Sequence, residues 1–205
     1  MRKSSAKTIC ERRARPMRIT GGEMRGRRIS PPPTRDVRPT PDAVRESLFN
    51  LLPPVSGQTF LDLYAGSGIV GLEALSRGAK CAVFVEKQAI IARKIREQVA
   101  ALGLEDSSLV LTMSVDKGVA TLSRREERYD VIFADPPYER EFIIKTLHYC
   151  RRDDLLATGG LLVLQRSVRE KIEGMDGHRE FVAVDERRYG DTVLTFLTHR
   201  LKETC

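Results

Sequence analysis

The segment TFLDLYAGSGIVG, residues 59–71, decides the fold. Its apolar start predicts a strand, and Gly66, Gly68 and Gly71 then form a G-x-G-x-x-G pattern that opens a helix. In such a unit the first glycine permits a tight turn, the second lets a ligand approach the backbone, and the third lets the helix pack closely on the sheet. The predicted cofactor loop consists of Ala65, Gly66, Ser67 and Gly68.

Strand and helix patterns alternate on both sides of this segment. The predicted strands are 59–64, 81–85, 108–113, 130–134 and 160–165, and the predicted helices are 69–77, 87–102 and 139–149. This alternation predicts an α/β fold with a Rossmann-like parallel sheet covered on both faces. Two final strands, 179–185 and 192–199, are joined by a turn at 187–191 and predict a C-terminal hairpin with one antiparallel strand.

The first 54 residues have a different pattern. Pro31–Pro33 and Pro39 interrupt regular structure until Thr40, an expected N-cap, and Pro41 begin a helix over about 41–52. The chain therefore divides into a mobile basic extension, an N-terminal hairpin and helix that form a small basic appendage, and a main domain. Their predicted bounds are 1–16, 17–54 and 55–205.

The composition of the chain excludes several classes of protein. With 205 residues, 41% apolar and 31% charged, the chain is long enough for one sizeable core, which excludes overall disorder, collagen and a disulfide miniprotein. It contains neither a membrane-length apolar run nor the apolar stretch of a signal peptide, so we expect a cytoplasmic protein without a membrane partner. Its four widely spaced cysteines predict reduced thiols and no metal site.

The positive charge of the chain lies in its N-terminal part. Residues 1–50 contain 13 Lys and Arg against 5 Asp and Glu, whereas residues 51–205 contain 22 against 23. For residues 1–16 we favour a solvated tail. Between residues 17 and 50 the arginines lie among glycines and can form bidentate hydrogen bonds with phosphates. The predicted RNA-binding arginines of this Gly-rich segment are Arg18, Arg25, Arg27 and Arg28.

Two carboxylates near the glycine loop indicate the kind of cofactor. Glu86 follows the second strand at twenty residues from Gly66, where it is placed to accept hydrogen bonds from both hydroxyls of a ribose. The loop alone fits NAD, FAD or S-adenosylmethionine. Asp62 would repel a pyrophosphate but attract the ammonium group of a methionine moiety, which favours S-adenosylmethionine; the alternative is that it only caps the turn.

The tetrapeptide Asp135-Pro136-Pro137-Tyr138 follows the strand predicted at 130–134 and indicates the reaction. The Asp135 carboxylate and the Pro136 carbonyl can form a rigid pair of acceptors for a planar amino group, while Tyr138 stacks on a base. Such a pair favours a pyramidal nitrogen whose lone pair points at a methyl donor. The alternative is a stiff strand-to-helix turn without a catalytic role.

These residues resemble class I S-adenosylmethionine-dependent methyltransferases of the amino-methylating (D/N/S)-P-P-(Y/F/W) type. More closely, they resemble the bacterial small-subunit ribosomal RNA guanine-N2 methyltransferase family over about Met17 to Leu197. The matching blocks are 17–22 with 25–27, 38–50, 62–73, 135–138 and 188–192. The resemblance implies a seven-stranded Rossmann-like sheet, a basic hairpin that engages rRNA, and methylation of one guanine in 16S rRNA within a small-subunit assembly intermediate.

The family pattern also implies roles for single residues. It places Thr40 on the cofactor, and Arg38 and Arg45 near the methionine end or the active-site floor, where they are expected to bind RNA. Ser114 with Val115 is the expected adenine contact, and Asp116 is the alternative register. Residues 1–16 precede the usual start of the family, so Met17 is a candidate initiator.

Three other functions remain open from the residues. An adenine-N6 methyltransferase acting on DNA or RNA would use the same Asp135-Pro136-Pro137-Tyr138 segment. An NAD-dependent oxidoreductase would use the glycine loop and Glu86 but leave Asp62 without a role. A non-catalytic RNA-binding module would use the arginine-rich segment alone.

Overall fold

A computed structural model of the chain describes residues 17–31, 40–137, 140–152, 155–170 and 180–200. The strands are β1 (Met17–Arg18), β2 (Arg28–Ile29), β3 (Thr59–Leu63), β4 (Cys81–Glu86), β5 (Ser108–Thr112), β6 (Tyr129–Ala134), β7 (Leu156–Ser167), β8 (Phe181–Tyr189) and β9 (Thr192–His199). The helices are α1 (Asp42–Leu51), α2 (Ile69–Ser76), α3 (Ala89–Leu102), α4 (Val115–Ser123) and α5 (Arg140–Arg152). The extension predicted to be mobile, 1–16, lies outside the described residues.

Seven strands form one sheet in the order β5-β4-β3-β6-β7-β9-β8. The pairs among β3, β4, β5, β6 and β7 are parallel, and β9 runs antiparallel to both β7 and β8. The predicted α/β class, the seven-stranded sheet and the C-terminal hairpin are therefore confirmed. The predicted hairpin turn was too long, because β8 continues through Tyr189 and leaves only Gly190, with φ of +61°, and Asp191 between the strands.

The sequence analysis missed helix α4. Its nine residues contain Gly118, which lowers helix propensity. A Cβ at that position would lie 2.8 Å from Cγ1 of Val85 on β4, so the glycine lets the helix approach the sheet. Close packing on the sheet therefore outweighs the weak local propensity.

The N-terminal segment shares its core with the rest of the chain. Met17, Ile19 and Ile29 of the β1-β2 hairpin are buried in the same hydrophobic cluster as Phe60 of β3 and Leu72 of α2. The sequence-based boundary at residue 54 is thus not a break in the packing.

The start of helix α1 differs from the prediction. Thr40 was the expected N-cap, but Pro41 is the N-cap residue, because the N–H groups of Val44 and Arg45 both donate to its carbonyl. The Thr40 carbonyl instead accepts a hydrogen bond of 2.6 Å from Nη1 of Arg45. Thr40 therefore does not cap the helix; its carbonyl is bound by the side chain of Arg45 in that helix.

Two hydrophobic clusters cover the two faces of the sheet. One contains Phe60, Phe133 and Val163 together with buried residues of α1, α2 and α3, and the other contains side chains of α4 and α5. Cys81 carries a free thiol. In the described ranges, no helix is both long enough and apolar enough to cross a bilayer.

Candidate functional site

A cavity of about 610 Å³ opens at the carboxyl ends of β3, β4, β5 and β6. In open α/β sheets this edge is where ligands bind, and the volume lies within the usual range for small-molecule sites. The predicted site residues that line the cavity are Thr40, Asp62, Ala65, Gly66, Ser67, Glu86, Ser114, Val115, Asp135, Pro136 and Pro137. The fold therefore brings the predicted cofactor and reaction residues together in one cavity.

The glycines of the cofactor loop serve different purposes. Gly66 lines the cavity with φ of +52°, a left-handed conformation that glycine adopts easily. Gly68 is the N-cap of α2 with φ of +73°, and a Cβ there would lie 3.1 Å from Ile95, while its role in ligand approach stays a prediction. The predicted close packing at Gly71 is confirmed, since a Cβ there would lie 2.3 Å from the Phe84 ring.

Glu86 ends strand β4 and is buried beside the loop. One carboxylate oxygen accepts the Gly66 N–H at 3.0 Å, and the other accepts the Gln88 N–H at 2.7 Å. Each carboxylate oxygen has two lone pairs, so both can still accept a hydroxyl. The backbone fixes the orientation of Glu86, and a diol remains a suitable ligand for it.

Asp62 lies near the carboxyl end of β3 and is 2% exposed. Its Oδ2 accepts the Gly71 N–H at 3.1 Å. Burial raises the pKa of Asp62 well above its usual range, and the nearby carboxylates of Asp135 and Glu86 raise it further, against the lowering effect of the Gly71 hydrogen bond. The carboxylates of Asp62, Glu86 and Asp135 line one cavity and favour a positively charged ligand, because a cation stabilises ionised carboxylates.

Asp135 directly follows β6 and lines the same cavity. Its Oδ2 accepts a hydrogen bond of 2.9 Å from Nε2 of Gln165. Burial raises the pKa of Asp135 to about 7; the hydrogen bond from Gln165 lowers it, and the charge of Glu170 raises it. Pro136 and Pro137 line the cavity beside it, whereas Tyr138 lies outside the described residues.

Several lining residues were missed by the sequence analysis. They are Tyr64, Lys87, Gln88, Phe142, Lys145 and Tyr149. Tyr64 is the next residue after β3, has φ of +61°, and shares a hydrogen bond of 2.8 Å with Thr146. Burial raises the pKa of Tyr64 to about 12, so it remains a neutral phenol. Phe142, Lys145 and Tyr149 belong to α5, and the sequence pattern of a helix does not indicate which of its faces will line a cavity.

The register of the adenine contact stays open. Ser114, Val115 and Asp116 all line the cavity. Ser114 is the N-cap residue of α4, and a hydrogen bond from Ser114 is the main cause that lowers the pKa of Asp116. The backbone at 114–115 and the Asp116 carboxylate therefore both remain candidates for the adenine contact.

The predicted RNA-binding arginines fall into two groups. Arg18, Arg25, Arg27 and Arg28 are exposed on the β1-β2 hairpin, and Arg38 lies outside the described residues. Arg45 is 1% exposed, which corrects its predicted contact with RNA. Its guanidinium donates to Glu73 Oε2 at 3.0 Å, to Asp42 Oδ1 at 3.1 Å, and to the carbonyls of Thr40 and Arg18 at 2.6 Å each.

The hairpin is fixed on the end of helix α2. The Ser76 carbonyl accepts the Glu23 N–H at 2.8 Å, and the Ser76 hydroxyl bridges the Met24 N–H and the Gly21 carbonyl. The backbone N–H and hydroxyl of Thr20 both donate to the buried Glu73 carboxylate. These contacts fix one side of the hairpin on α2, while its arginine side chains remain exposed to solvent.

Comparison with known proteins places these features in a family. A family model described as Conserved hypothetical protein 95 matches residues 17–198. The ribosomal RNA small subunit methyltransferase D of Escherichia coli strain K12 is 33% identical over 172 residues, which cover 82% of this chain and 85% of that protein.

Solved structures share the same architecture. A hypothetical protein of Thermus thermophilus has a TM-score of 0.74 and 33% identity, and the match covers 88% of this chain and 98% of that one. The C-terminal domain of the precorrin-6Y C5,15-methyltransferase of Rhodobacter capsulatus has a TM-score of 0.59 at 18% identity, covering 80% of this chain and 91% of that one. At that identity the second likeness concerns the fold alone.

Proposed function

The chain belongs to the family described as Conserved hypothetical protein 95, and from this premise we propose that it methylates the exocyclic N2 amine of a guanine in 16S rRNA, with S-adenosylmethionine as the methyl donor. Its substrate is the rRNA of a small-subunit assembly intermediate in the cytoplasm. The resemblance drawn from the sequence motifs is confirmed at the level of the family.

One observation carries this proposal: Asp62, Glu86 and Asp135 line the same cavity. Glu86 suits a ribose, and Asp62 suits a cationic amino-acid end. A pyrophosphate would bring negative charge next to these three carboxylates, and burial already raises the pKa values of Asp62 and Asp135. These residues therefore fit S-adenosylmethionine, which is cationic and has no phosphate, better than NAD.

Asp135 and the Pro136 carbonyl hold the amine to be methylated. S-adenosylmethionine, when bound, supplies an electrophilic methyl group. The two acceptors take the two amine N–H groups and favour a nitrogen lone pair that points away from the base plane. This lone pair would be directed at the methyl group that bound S-adenosylmethionine supplies, and the methylated nitrogen would then release one proton.

The direct experiment identifies the methylated nucleoside. Small-subunit rRNA and assembly intermediates are incubated with the full chain and S-adenosylmethionine, and their nucleosides are analysed by mass spectrometry. We expect N2-methylguanosine at one position. Formation of N6-methyladenosine, or absence of methyl transfer together with tight NAD binding, would overturn the proposal.

Substitution of Asp135 tests the chemistry. Asp135→Ala removes an acceptor needed mainly in the transition state, so we expect the methylation rate to fall at least about 100-fold while S-adenosylmethionine affinity stays nearly constant. Because burial raises the pKa of Asp135 to about 7 and the ionised form is the acceptor, the wild-type rate should rise with pH through about 7. Wild-type turnover in the variant would contradict this role.

The cofactor residues are tested by binding alone. Asp62→Ala or Glu86→Ala should weaken S-adenosylmethionine binding by about 1 to 3 kcal/mol, the loss expected for a charge-assisted hydrogen bond. Glu97→Ala is the matched control, since Glu97 is an exposed carboxylate of α3 in ion pairs with Arg93 and Lys94. Calorimetry that shows equal affinities in all three variants would refute the assignment.

A further inference from the structure

Gln165 is a buried polar residue next to the reaction end of the cavity. It lies on β7, one residue beyond the pair that Leu164 forms with Ala134 of β6, and is thus level with Asp135. Its side chain is 6% exposed, and its Nε2 donates to Asp135 Oδ2 at 2.9 Å. The amide is therefore fixed against the carboxylate that is proposed to hold the amine.

The other end of this amide has no partner among the described residues. Oε1 of Gln165 is buried and accepts no hydrogen bond. A buried acceptor left without a donor costs about 1 to 3 kcal/mol, so proteins rarely retain one without a use. The hydrogen bond to Asp135 fixes which end of the amide is the donor, and the free end is an acceptor.

The strand pattern shows which face of the sheet Gln165 shares. Residues two apart on a strand point to the same face. Val163, Phe133 and Phe60 belong to one hydrophobic cluster, so Gln165, Asp135 and Asp62 continue that face toward the carboxyl edge. The hairpin with the exposed arginines packs on this same face of the sheet, because its buried residues belong to the same cluster.

We propose that Gln165 selects guanine over adenine by accepting the N1–H of the target base through Oε1, while Asp135 and the Pro136 carbonyl hold the adjacent N2 amine. This inference rests on the proposed function. On the Watson–Crick edge of guanine, N1–H and the N2 amine are both donors, whereas the N1 atom of adenine is an acceptor. An adenine presented to the same acceptors would place N1 against the free amide oxygen with no proton between them.

A second acceptor reinforces this preference. Oε1 of Glu170 is also buried without a partner among the described residues, and its Oε2 accepts the Ser167 N–H at 2.8 Å. The Glu170 charge acts on Asp135, so the two carboxylates lie close enough to interact. Unpartnered acceptors therefore lie near Asp135, which suits a base edge that carries donors.

The experiment changes the Watson–Crick edge of the target base, because N1 loses its proton and the O6 carbonyl is absent. In an rRNA fragment or reconstituted particle that the wild-type chain methylates, the mapped target guanine is replaced by 2-aminopurine. This base keeps the 2-amino group but has an acceptor at N1. We expect the wild type to methylate it with kcat/KM at least about tenfold lower than for guanine, the equivalent of about 1.4 kcal/mol.

The variant Gln165→Met removes both polar ends of the amide and keeps the length of the side chain. We expect it to lower kcat/KM for guanine more than for 2-aminopurine, since both bases lose the donor that orients Asp135 but only guanine loses the acceptor for its N1–H, so that the two rates come within about threefold. Gln165→Leu serves as a second variant if the first is unstable, and S-adenosylmethionine affinity monitors the cofactor site in both.

The outcomes separate the two proposals. Equal wild-type rates on guanine and 2-aminopurine would overturn the role of Gln165 while leaving guanine methylation intact. An equal loss on both bases in Gln165→Met would also overturn it, because a residue that only orients Asp135 acts on the amine of either base. Absence of N2-methylguanosine with the unmodified substrate would instead refute the proposed function.

Discussion

The two groups of arginines in the N-terminal segment have opposite surroundings. Arg25, Arg27 and Arg28 are exposed on the hairpin, whereas Arg45 is 1% exposed, with its guanidinium bound to two carboxylates and two carbonyls. All four contribute equally to the positive charge that suggests RNA binding. Charge count therefore identifies the segment, but only the contacts separate the arginines that can bind phosphate from the one that holds the fold together.

Arg45 joins three parts of the molecule through Glu73. Glu73 of α2 is fully buried and accepts from Arg45, from Arg77 and from Thr20 of the hairpin. Arg45 also binds the carbonyl of Thr40, which lines the cavity. A buried ion pair is tolerable only when its remaining donors and acceptors are satisfied, as they are here.

The largest expected effect follows from breaking this pair. Arg45→Ala removes one of the two arginines that pair with the buried Glu73 carboxylate and leaves the carbonyls of Thr40 and Arg18 without their donor, so we expect the free energy of unfolding to fall by about 3 kcal/mol. Arg25→Ala is the matched control, and its effect should remain within about 0.5 kcal/mol because the residue is exposed. Urea denaturation of both variants measures the difference.

The double variant Arg45→Met with Glu73→Leu sharpens the same test. The double variant removes the buried charge but also leaves the Thr20 N–H and hydroxyl without their acceptor, so we expect it to recover only part of the stability lost in Arg45→Ala. Equal stability of Arg45→Ala and Arg25→Ala would mean that the buried and exposed arginines do not differ in this way.

The cavity could be predicted further than the arginine network. Asp62, Glu86 and Asp135 each lie at the carboxyl end of a strand of a β-α repeat or within one residue of it, and parallel strands present their carboxyl ends at one edge. Local spacing thus sufficed to place these carboxylates together. Phe142 and Tyr149 of α5 could not be predicted as lining residues, because the face that a helix turns to a cavity depends on its tertiary packing.

The partner of Arg45 could not be predicted for a related reason. Asp42 is visible at the i, i+3 spacing within α1, but Glu73 belongs to another helix, 28 residues further along the chain. The same segment is basic whether its arginines face solvent or a buried carboxylate. Only the docking of α1 and the hairpin on α2 determines which arginine is buried.

The exposed arginines should affect RNA binding without affecting the fold. In the triple variant Arg25→Gln, Arg27→Gln and Arg28→Gln, we expect weaker binding to a small-subunit rRNA fragment and a salt dependence less steep by about 2 to 3 phosphate contacts. S-adenosylmethionine affinity and the free energy of unfolding should stay nearly unchanged. Binding measured at several salt concentrations checks the slope.

The alternative for these arginines makes the opposite forecast. If they only solvate the hairpin, the triple variant keeps both its RNA affinity and its salt slope. A loss of stability comparable to that of Arg45→Ala would also break the distinction, since it would mean that the exposed guanidinium groups support the packing.

Arg18 lies between the two groups and should give the smallest effect. Its Nε forms an ion pair of 3.1 Å with Asp42, in which the side chains are 63% and 42% exposed, while its backbone carbonyl accepts from Arg45. Because Arg18→Ala keeps that carbonyl and removes only a solvent-screened pair, we expect a loss of at most about 1 kcal/mol that shrinks as salt rises. Asp42→Ala should cost more, since Asp42 also accepts from the buried Arg45 guanidinium at 3.1 Å. Both variants are measured by urea denaturation at low and high salt. Equal losses of stability would show that the contact of Asp42 with the buried Arg45 adds nothing to its exposed pair with Arg18.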